Sequence, residues 1–396
     1  MDLLPRTEAS ARLERLQARM QELSVDAVFV QQNADLYYFS GTVQAGLLCI
    51  PASGEPVYLV QKSAARARME SPWERVVAAT SLKKAERLLA DSGVSQLAVV
   101  GLELDVLPVG HFLRLKELFP HTRFVDASDM IRKVRTIKST YEVEQTRRAA
   151  SFLREVFGEI PRWAVPGATE LEVAARLEGF LRHLGHQGLI RARGFNFEIG
   201  YGAISAGPSA GYPTCFPGPV GSLGLYPSVP IGASRRPLQR GQTLMADIVA
   251  GFGGYVADMT RTFELGRVNE EMHRAHRFLL ELMRAVEEML KPGTLCSDIY
   301  REAMTRVQET PYAPAFMGVG DSRVRFVGHG LGLEIDELPV FAANHDVPLE
   351  AGMMIALEPK IFFPDGGVGI ENTYWITEDG PENLTHYPEQ MIPIAF

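Results

Sequence analysis

The sequence predicts two domains of different class, an α/β domain over residues 1–134 and an α+β domain over residues 135–396. A chain of 396 residues is longer than one ordinary hydrophobic core supports. In the first third, short apolar runs alternate with helical stretches. The rest combines three helical patterns with Gly- and Pro-rich segments of β type.

The N-terminal domain begins with an amphipathic helix, predicted over residues 8–23. Leu13, Leu16 and Met20 recur there at helical spacing, with charged residues between them. A further helical stretch covers residues 81–93. The apolar runs typical of buried strands lie at residues 26–31, 46–51, 56–61 and 96–101.

The division between the domains is predicted within residues 130–138, because a helix start follows at once. Ser139, Thr140 and Glu142 are residues suited to beginning a long helix. Two more helices are predicted over residues 168–185 and 270–293. Residues 205–237, rich in Gly, Pro and Ser, predict a long irregular loop, and such loops are more often functional than not.

Composition excludes several classes of partner. Hydrophobic residues make up 46% and charged residues 22%, as in a globular protein, and the net charge of -8 argues against a nucleic-acid partner. No apolar run reaches the roughly 18 residues of a membrane span. The three cysteines form no CxxC pair, and the N-terminus lacks a signal-peptide pattern, so we expect a cytoplasmic protein.

Two aspartates lie in a predicted β-hairpin. Asp247 precedes a glycine-rich turn and Asp258 follows it, both within apolar runs. A buried carboxylate is costly without a compensating cation or strong donors, so the pair suggests a site for a hard cation. The alternative is structural: Asp258 pairs with Arg261 and Asp247 accepts backbone hydrogen bonds. The hairpin alone leaves both interpretations open.

Three more candidates follow in the same half of the chain. His329 lies between glycines, which allow a ligand to approach closely, although a lone histidine is more often a core or loop residue. Glu358 ends one apolar run and Glu371 is embedded in the next. Shared metal ions would compensate all of these buried groups at once.

The order of these residues resembles a known family. The strings DIVAGFGGYVAD, GHGLG, LEP and IEN, together with DMTRTF, are similar to the pita-bread metallopeptidases, which include prolidase, Xaa-Pro aminopeptidase and methionine aminopeptidase. RLERLQARMQELSVDAVFV and NADLYYFSG resemble the creatinase-type N-terminal domain of prolidases. The resemblance covers nearly the whole chain and implies a creatinase-like α/β domain before a pita-bread α+β catalytic domain.

The resemblance also implies a function. It predicts a site for two divalent ions (Mn, Co, Fe or Zn), with Asp258 and Glu371 bridging them and Glu358 accepting a proton from the attacking water. Small peptides or small amides are the expected substrates, with neither nucleic acid nor membrane as a partner, and a homodimer is expected. The implied metal ligands are Asp247, Asp258, His329, Glu358 and Glu371.

This chain departs from the family at its substrate-binding histidines. The histidine expected seven residues after the metal-binding one is Asp336 here, and the one expected four residues before it is Arg325. A third, expected in the upstream loop, is missing. A carboxylate would repel an oxyanion that an imidazole would stabilise. We therefore expect Arg325 and Asp336 to form an ion pair that replaces the two histidines, so that both join Glu358 as catalytic candidates.

Three functional interpretations follow. The first is an Xaa-Pro aminopeptidase or prolidase-like metallopeptidase with atypical substrate contacts. The second is a non-peptidase enzyme on the same fold, a small-amide hydrolase or a lyase, which fold alone does not separate from the first. The third is a non-catalytic binding protein, which the presence of all five ligand types argues against.

Overall fold

The structure of the protein, a computed structural model, describes residues 3–396. The chain forms two compact units, of which the first ends at Arg135 and the second covers Thr136–Phe396. None of the helices within the described residues combines the length and the apolar composition needed to cross a bilayer.

The first unit is an α/β layer structure. Its helices are α1 (Arg6–Glu22), α2 (Asn33–Ser40), α3 (Ala64–Glu70), α4 (Ala85–Asp91), α5 (Val109–Leu118) and α6 (Ser128–Thr136), the last of which reaches the division between the units. Its strands are β1 (Ala27–Val30), β2 (Gly46–Pro51), β3 (Val57–Val60), β4 (Val76–Ala78), β5 (Val99–Leu102) and β6 (Arg123–Asp126).

These six strands form one mixed sheet in the order β4-β3-β2-β1-β5-β6. The central strand β1 is fully buried and pairs parallel with β5 and antiparallel with β2. The four apolar runs of the sequence are strands, as predicted. The edge strands β4 and β6 were not predicted, because VVA is short and RFVD begins and ends with a charge.

The second unit is α+β. Its helices are α7 (Thr140–Trp163), α8 (Glu170–Leu184), α9 (Glu270–Glu287) and α10 (Cys296–Gln308). Its strands are β7 (Gly202–Ala206), β8 (Thr243–Phe252), β9 (Tyr255–Leu265), β10 (Phe326–Gly330), β11 (Glu337–Ala342), β12 (Met354–Leu357), β13 (Lys360–Phe363), β14 (Gly366–Gly369), β15 (Asn372–Thr377), β16 (Gly380–Asn383) and β17 (Ile392–Ile394).

Local sequence determines where the long helix α7 begins. The Ser139 hydroxyl accepts a hydrogen bond from the backbone N–H of Glu142, and the Glu142 carboxylate accepts one from the backbone N–H of Ser139. This capping box satisfies two N–H groups that the first turn leaves unpaired. The helix then buries Leu153 and Phe157 against β8 and β9.

Two sheets carry the candidate site residues. One has the order β17-β9-β8-β7 and the other β11-β10-β12-β15-β16, while β13 and β14 form a separate two-stranded ribbon. The predicted hairpin is confirmed: Phe252 pairs with Tyr255 across Gly253 and Gly254, both of which have positive φ. Two consecutive residues with positive φ are what a tight two-residue hairpin turn requires.

The predicted irregular segment is largely confirmed. Strand β7 ends at Ala206, a short 3-10 turn covers Gly207–Gly211, and residues 212–242 contain neither helix nor strand. Part of this segment forms one wall of the cavity described below.

The buried His276 should make the free energy of unfolding depend on pH in the acid range. The side chain lies on α9, 2% exposed, and burial lowers its pKa from 6.5 to about 4. The unfolded chain therefore takes up a proton that the folded chain resists, and His276 costs stability progressively as the pH falls from about 6.5 to about 4. At the acid end the cost approaches about 3 kcal/mol.

We predict that His276→Leu flattens the decline of unfolding free energy between pH 7 and pH 4.5, measured by urea denaturation monitored by circular dichroism. His183→Leu, at an exposed position on α8, is the matched control and should follow the wild type. Parallel pH profiles for wild type and His276→Leu would contradict the assignment.

Candidate active site

The β8–β9 hairpin places two aspartates on one face of its sheet. Asp247 pairs with Thr260, and Asp258 lies two residues before Thr260 on the same strand. Side chains two apart on a strand point to the same side, so all three share a face. Both carboxylates are buried, with 7% of Asp247 and 6% of Asp258 exposed.

The second sheet supplies the remaining groups. His329 is on β10, Glu358 directly follows β12 and Glu371 directly precedes β15. The backbone N–H of Glu371 donates to the carbonyl of Thr260 at 3.1 Å, and the Thr260 hydroxyl donates to Glu371 Oε2 at 2.7 Å. These two hydrogen bonds hold Glu371 against the aspartate-bearing hairpin.

Asp258, His329 and Glu371 form a group suited to a metal ion. One ligand atom from each lies within 4.8 Å of the other two. His329 Nδ1 is 3.0 Å from the carbonyl of Gly330. Because a carbonyl can only accept, Nδ1 carries the proton in this contact, and Nε2 keeps the lone pair that a metal requires.

The buried oxygens of this group support the same assignment. Within the described chain, Asp258 Oδ1 and Glu371 Oε1 have no hydrogen-bond partner although both are buried. Burial first, and then the neighbouring acids, raise the pKa of Asp258 well above its usual range and that of Glu371 to about 7. Such crowding disfavours the ionised forms unless a cation lies among them. The residues present therefore fit a divalent ion.

A lysine also occupies the cluster. Lys360 Nζ donates to Glu358 Oε2 at 2.8 Å, to Asp247 Oδ2 at 2.9 Å and to Glu371 Oε2 at 3.1 Å. Only 1% of the lysine is exposed. Burial alone would lower the pKa of this ammonium, but the carboxylates around it raise that pKa well above its ordinary value.

Sequence reasoning missed Lys360. It follows Glu358 by two residues at the start of β13, where a lysine is ordinarily a solvated strand end. The available signal was its position in the run ALEPKIFF, because a charge inside an apolar segment needs a buried partner as much as an acid does.

The alternative in which Asp258 pairs with Arg261 is wrong. The two residues are three apart on β9 and so point to opposite faces. The Arg261 guanidinium is buried, and it donates to the carbonyl of Glu371 and to Asn372 Oδ1, both at 2.7 Å. Arg261 thus fixes the backbone that carries Glu371 and leaves the Asp258 carboxylate free.

The expected ion pair between Arg325 and Asp336 is not formed in the described part of the chain. Arg325 is exposed, and solvation of its long side chain competes with any pairing. Asp336 Oδ1 instead accepts the backbone N–H of Arg193 at 2.9 Å. Burial first, and then Glu334, raise the pKa of Asp336 to about 6.

The cluster opens into a cavity of about 960 Å³ within the second unit. Its walls are mainly apolar and aromatic, and Phe197 and Phe216 meet there edge to face at 5.1 Å between ring centroids. Asp336 is part of the wall, whereas Arg325 is not among the lining residues. The acidic residues that line the cavity are Glu178, Asp247, Asp258, Asp336, Glu337 and Glu358.

Comparison with known families agrees with this geometry. The sequence profile of metallopeptidase family M24 matches residues 144–378, more than half of the chain and all of the cluster. The chain belongs to this family. The profile of the creatinase/prolidase N-terminal domain matches residues 12–137. The predicted two-domain architecture, creatinase-like and then pita-bread, is confirmed.

Individual relatives extend over the full length. The chain is 28% identical over 384 residues to an Xaa-Pro dipeptidase of Pyrococcus furiosus, covering 96% of this chain and 99% of the relative. The prolidase structure from Pyrococcus horikoshii superimposes with a TM-score of 0.79 at 26% identity, covering 96% of this chain and all of the other.

A third structure, dipeptidase PepE from Mycobacterium ulcerans, gives a TM-score of 0.82 at 23% identity over the whole of both chains. Membership of the family makes this chain a metallopeptidase-like hydrolase of the aminopeptidase or dipeptidase kind, and the family uses divalent metal ions.

Proposed function

We propose that this protein is an Xaa-Pro-type metallopeptidase that acts at the free N-terminus of small peptides. The observation that carries the proposal is the group formed by Asp258, His329 and Glu371, of which Asp258 and His329 line a large cavity with mainly apolar walls. A convergent set of ionisable groups in such a cavity is the usual form of an active site.

Asp258, His329 and Glu371 would hold a divalent ion, with Glu358 beside them: Glu358 Oε1 lies 3.5 Å from His329 Nε2. A bound divalent ion supplies Lewis-acid polarisation and lowers the pKa of water. Among the side chains of the site, Glu358 is the proposed acceptor of the proton from the attacking water. Burial raises its pKa, which makes this carboxylate a better base than an exposed one.

The cavity walls favour an apolar substrate. Phe197, Phe216, Ile335 and Val340 line it, together with prolines and glycines of the irregular segment. A proline ring and an apolar side chain before it match such walls, because each buries apolar surface without requiring hydrogen bonds. The names of the relatives, Xaa-Pro dipeptidase and prolidase, support the same substrate class.

Charge in the cavity distinguishes between possible substrates. Among the described residues that line it, Lys360 is the only lysine or arginine, and its ammonium is already surrounded by three carboxylates. Glu178 and Asp336 are the wall acids that lie outside both the cluster and the Lys138–Glu337 ion pair, and their charge favours the ammonium of a peptide N-terminus over a free C-terminal carboxylate. We therefore propose an aminopeptidase preference over strict dipeptidase action.

A small-amide hydrolase is the second candidate. The observation that favours it is Asp336 in the position where the resemblance expects an imidazole donor, which weakens the case for an ordinary peptidase oxyanion site. Small amides therefore belong in the same substrate screen.

The metal site is tested by a substitution of Asp258. Asp258→Asn keeps the size of the side chain but removes a ligand charge. The variant should therefore lose its bound divalent ion, and its hydrolytic activity should fall by about 100-fold. Metal content after dialysis and initial rates measure both. Asp379→Asn, an exposed acid in the same unit, is the matched control. Undiminished metal in Asp258→Asn would contradict the assignment.

The preference for substrate charge is tested by comparing peptides with and without a nearby C-terminal carboxylate. With manganese, cobalt, iron or zinc supplied in turn, kcat/KM for an Xaa-Pro amide or tripeptide should exceed that for the matching Xaa-Pro dipeptide by about tenfold, because Glu178 and Asp336 repel the dipeptide's carboxylate. Tenfold corresponds to about 1.4 kcal/mol. Chromatographic assay of the released residue measures this. Faster hydrolysis of the dipeptide would reverse the preference, and cleavage of small amides alone would favour the second candidate.

Assembly and compartment complete the proposal. We propose a cytoplasmic homodimer, supported by the creatinase-like N-terminal domain and by free thiols at Cys49, Cys215 and Cys296, which suit a reducing compartment. Multi-angle light scattering at micromolar concentration should give twice the mass of one chain, and a stable monomer would reject the dimer.

A further inference from the structure

We propose that the ammonium of Lys360 is itself the second cation of this site, so that the protein binds one divalent ion where its family resemblance implies two. The inference deepens the proposed function and rests on it. Asp258 and His329 would bind a divalent ion from solution, whereas Asp247 and Glu358 bind the ammonium of the chain's own lysine.

The first support is the coordination of the ammonium. An ammonium has three N–H donors, and Lys360 Nζ lies within 3.1 Å of three carboxylate oxygens, on Asp247, Glu358 and Glu371. Each donor therefore has its own charged acceptor. The lysine is a fully satisfied cation of the cluster and not a side chain that happens to be near it.

The second support is the way the oxygens divide. Glu371 Oε2 accepts from Lys360 and Thr260, while Glu371 Oε1 has no partner within the described residues. Asp258 Oδ1 is likewise without one, and these two acids form the metal-suited group with His329. Asp247 and Glu358 contact the lysine through Oδ2 and Oε2. The lysine therefore uses one oxygen each of Asp247, Glu358 and Glu371. Asp258 Oδ1 and Glu371 Oε1 are left for an ion.

The third support is space. A metal–carboxylate bond is short, about 2.0–2.2 Å for zinc. An ion bound between Asp247 Oδ2 and Glu371 Oε2 would lie where Lys360 Nζ already contacts both oxygens, at 2.9 and 3.1 Å. The ammonium and a second ion therefore compete for the same oxygens.

The fold holds the lysine in this position. Lys360 pairs with Gly369 across the β13–β14 ribbon, and a Cβ atom placed on Gly369 would lie 2.8 Å from Lys360 Cγ. The absence of a side chain at Gly369 thus makes room for the lysine stem. Met317 N–H donates to the carbonyl of Lys360 at 2.9 Å and fixes its backbone. The stem is packed and has little freedom to withdraw the ammonium.

Charge also favours one ion. Against the four carboxylates, one ammonium and one divalent ion leave a single net negative charge. A second divalent ion beside the ammonium would turn the cluster positive and bring three cations into contact inside a buried site, where their repulsion is poorly screened.

The test measures metal stoichiometry on the full-length protein. Wild type and Lys360→Ala are purified in excess manganese, dialysed and analysed for metal by mass spectrometry, with electron paramagnetic resonance of the bound manganese as a second readout. We expect about one ion per chain in wild type, with the spectrum of an isolated manganese ion. In Lys360→Ala we expect a second ion and the spectrum of an exchange-coupled pair.

Lys138→Ala provides the matched control. Lys138 is also a buried lysine of the second unit, 2.9 Å from Glu337, so its loss perturbs folding in a similar way outside the cluster. This variant should keep about one ion. If Lys360→Ala fails to fold, the wild-type stoichiometry and spectrum still decide the question.

The outcomes separate the two proposals. Two ions in wild type would overturn the role of Lys360 and leave the metallopeptidase proposal intact, and an unchanged single ion in folded Lys360→Ala would do the same. No bound ion in either protein would contradict the proposed function itself.

Discussion

Four carboxylates buried within reach of one another constrain everything else in the second unit. Asp247, Asp258, Glu358 and Glu371 lie in the protein interior, where unpaired negative charge is costly and mutual repulsion is weakly screened. The arrangement is stable only with cations among the acids. Lys360 supplies one of them, and the unused oxygens of Asp258 and Glu371 leave a place for another.

Delivering these groups to one point requires two sheets. The hairpin of β8 and β9 supplies both aspartates, strand β10 supplies the histidine, and the glutamates lie at the end of β12 and just before β15. The contact between Thr260 and Glu371 joins the two sources directly. Arg261 stabilises this contact by donating a hydrogen bond to the carbonyl of Glu371. The buried side chains of Thr260 and Arg261 thus position Glu371, and their hydrogen bonds offset the free-energy cost of burying them.

The cavity beside the cluster is where this chain departs from the residues that the family resemblance implies. One of its walls comes from the irregular segment, which places aromatic and proline side chains without the regularity of a strand. Asp336, held by the backbone of Arg193, adds negative charge where the resemblance expects an imidazole. The scaffold and the metal-suited group are thus separable from the residues that line the cavity around them.

The sequence by itself determined the class of both units, the family and the identity of the acids and the histidine that meet in the cluster. Apolar runs, the capping box at Ser139 and the Gly253–Gly254 turn are local signals, and local physics is enough to interpret them. Only the tertiary structure decided which charges meet. Lys360 lies in the cluster and Arg325 lies outside it. Strand pairing and packing determine the distances of these two side chains from the acids, and the spacing of residues along the chain does not predict them.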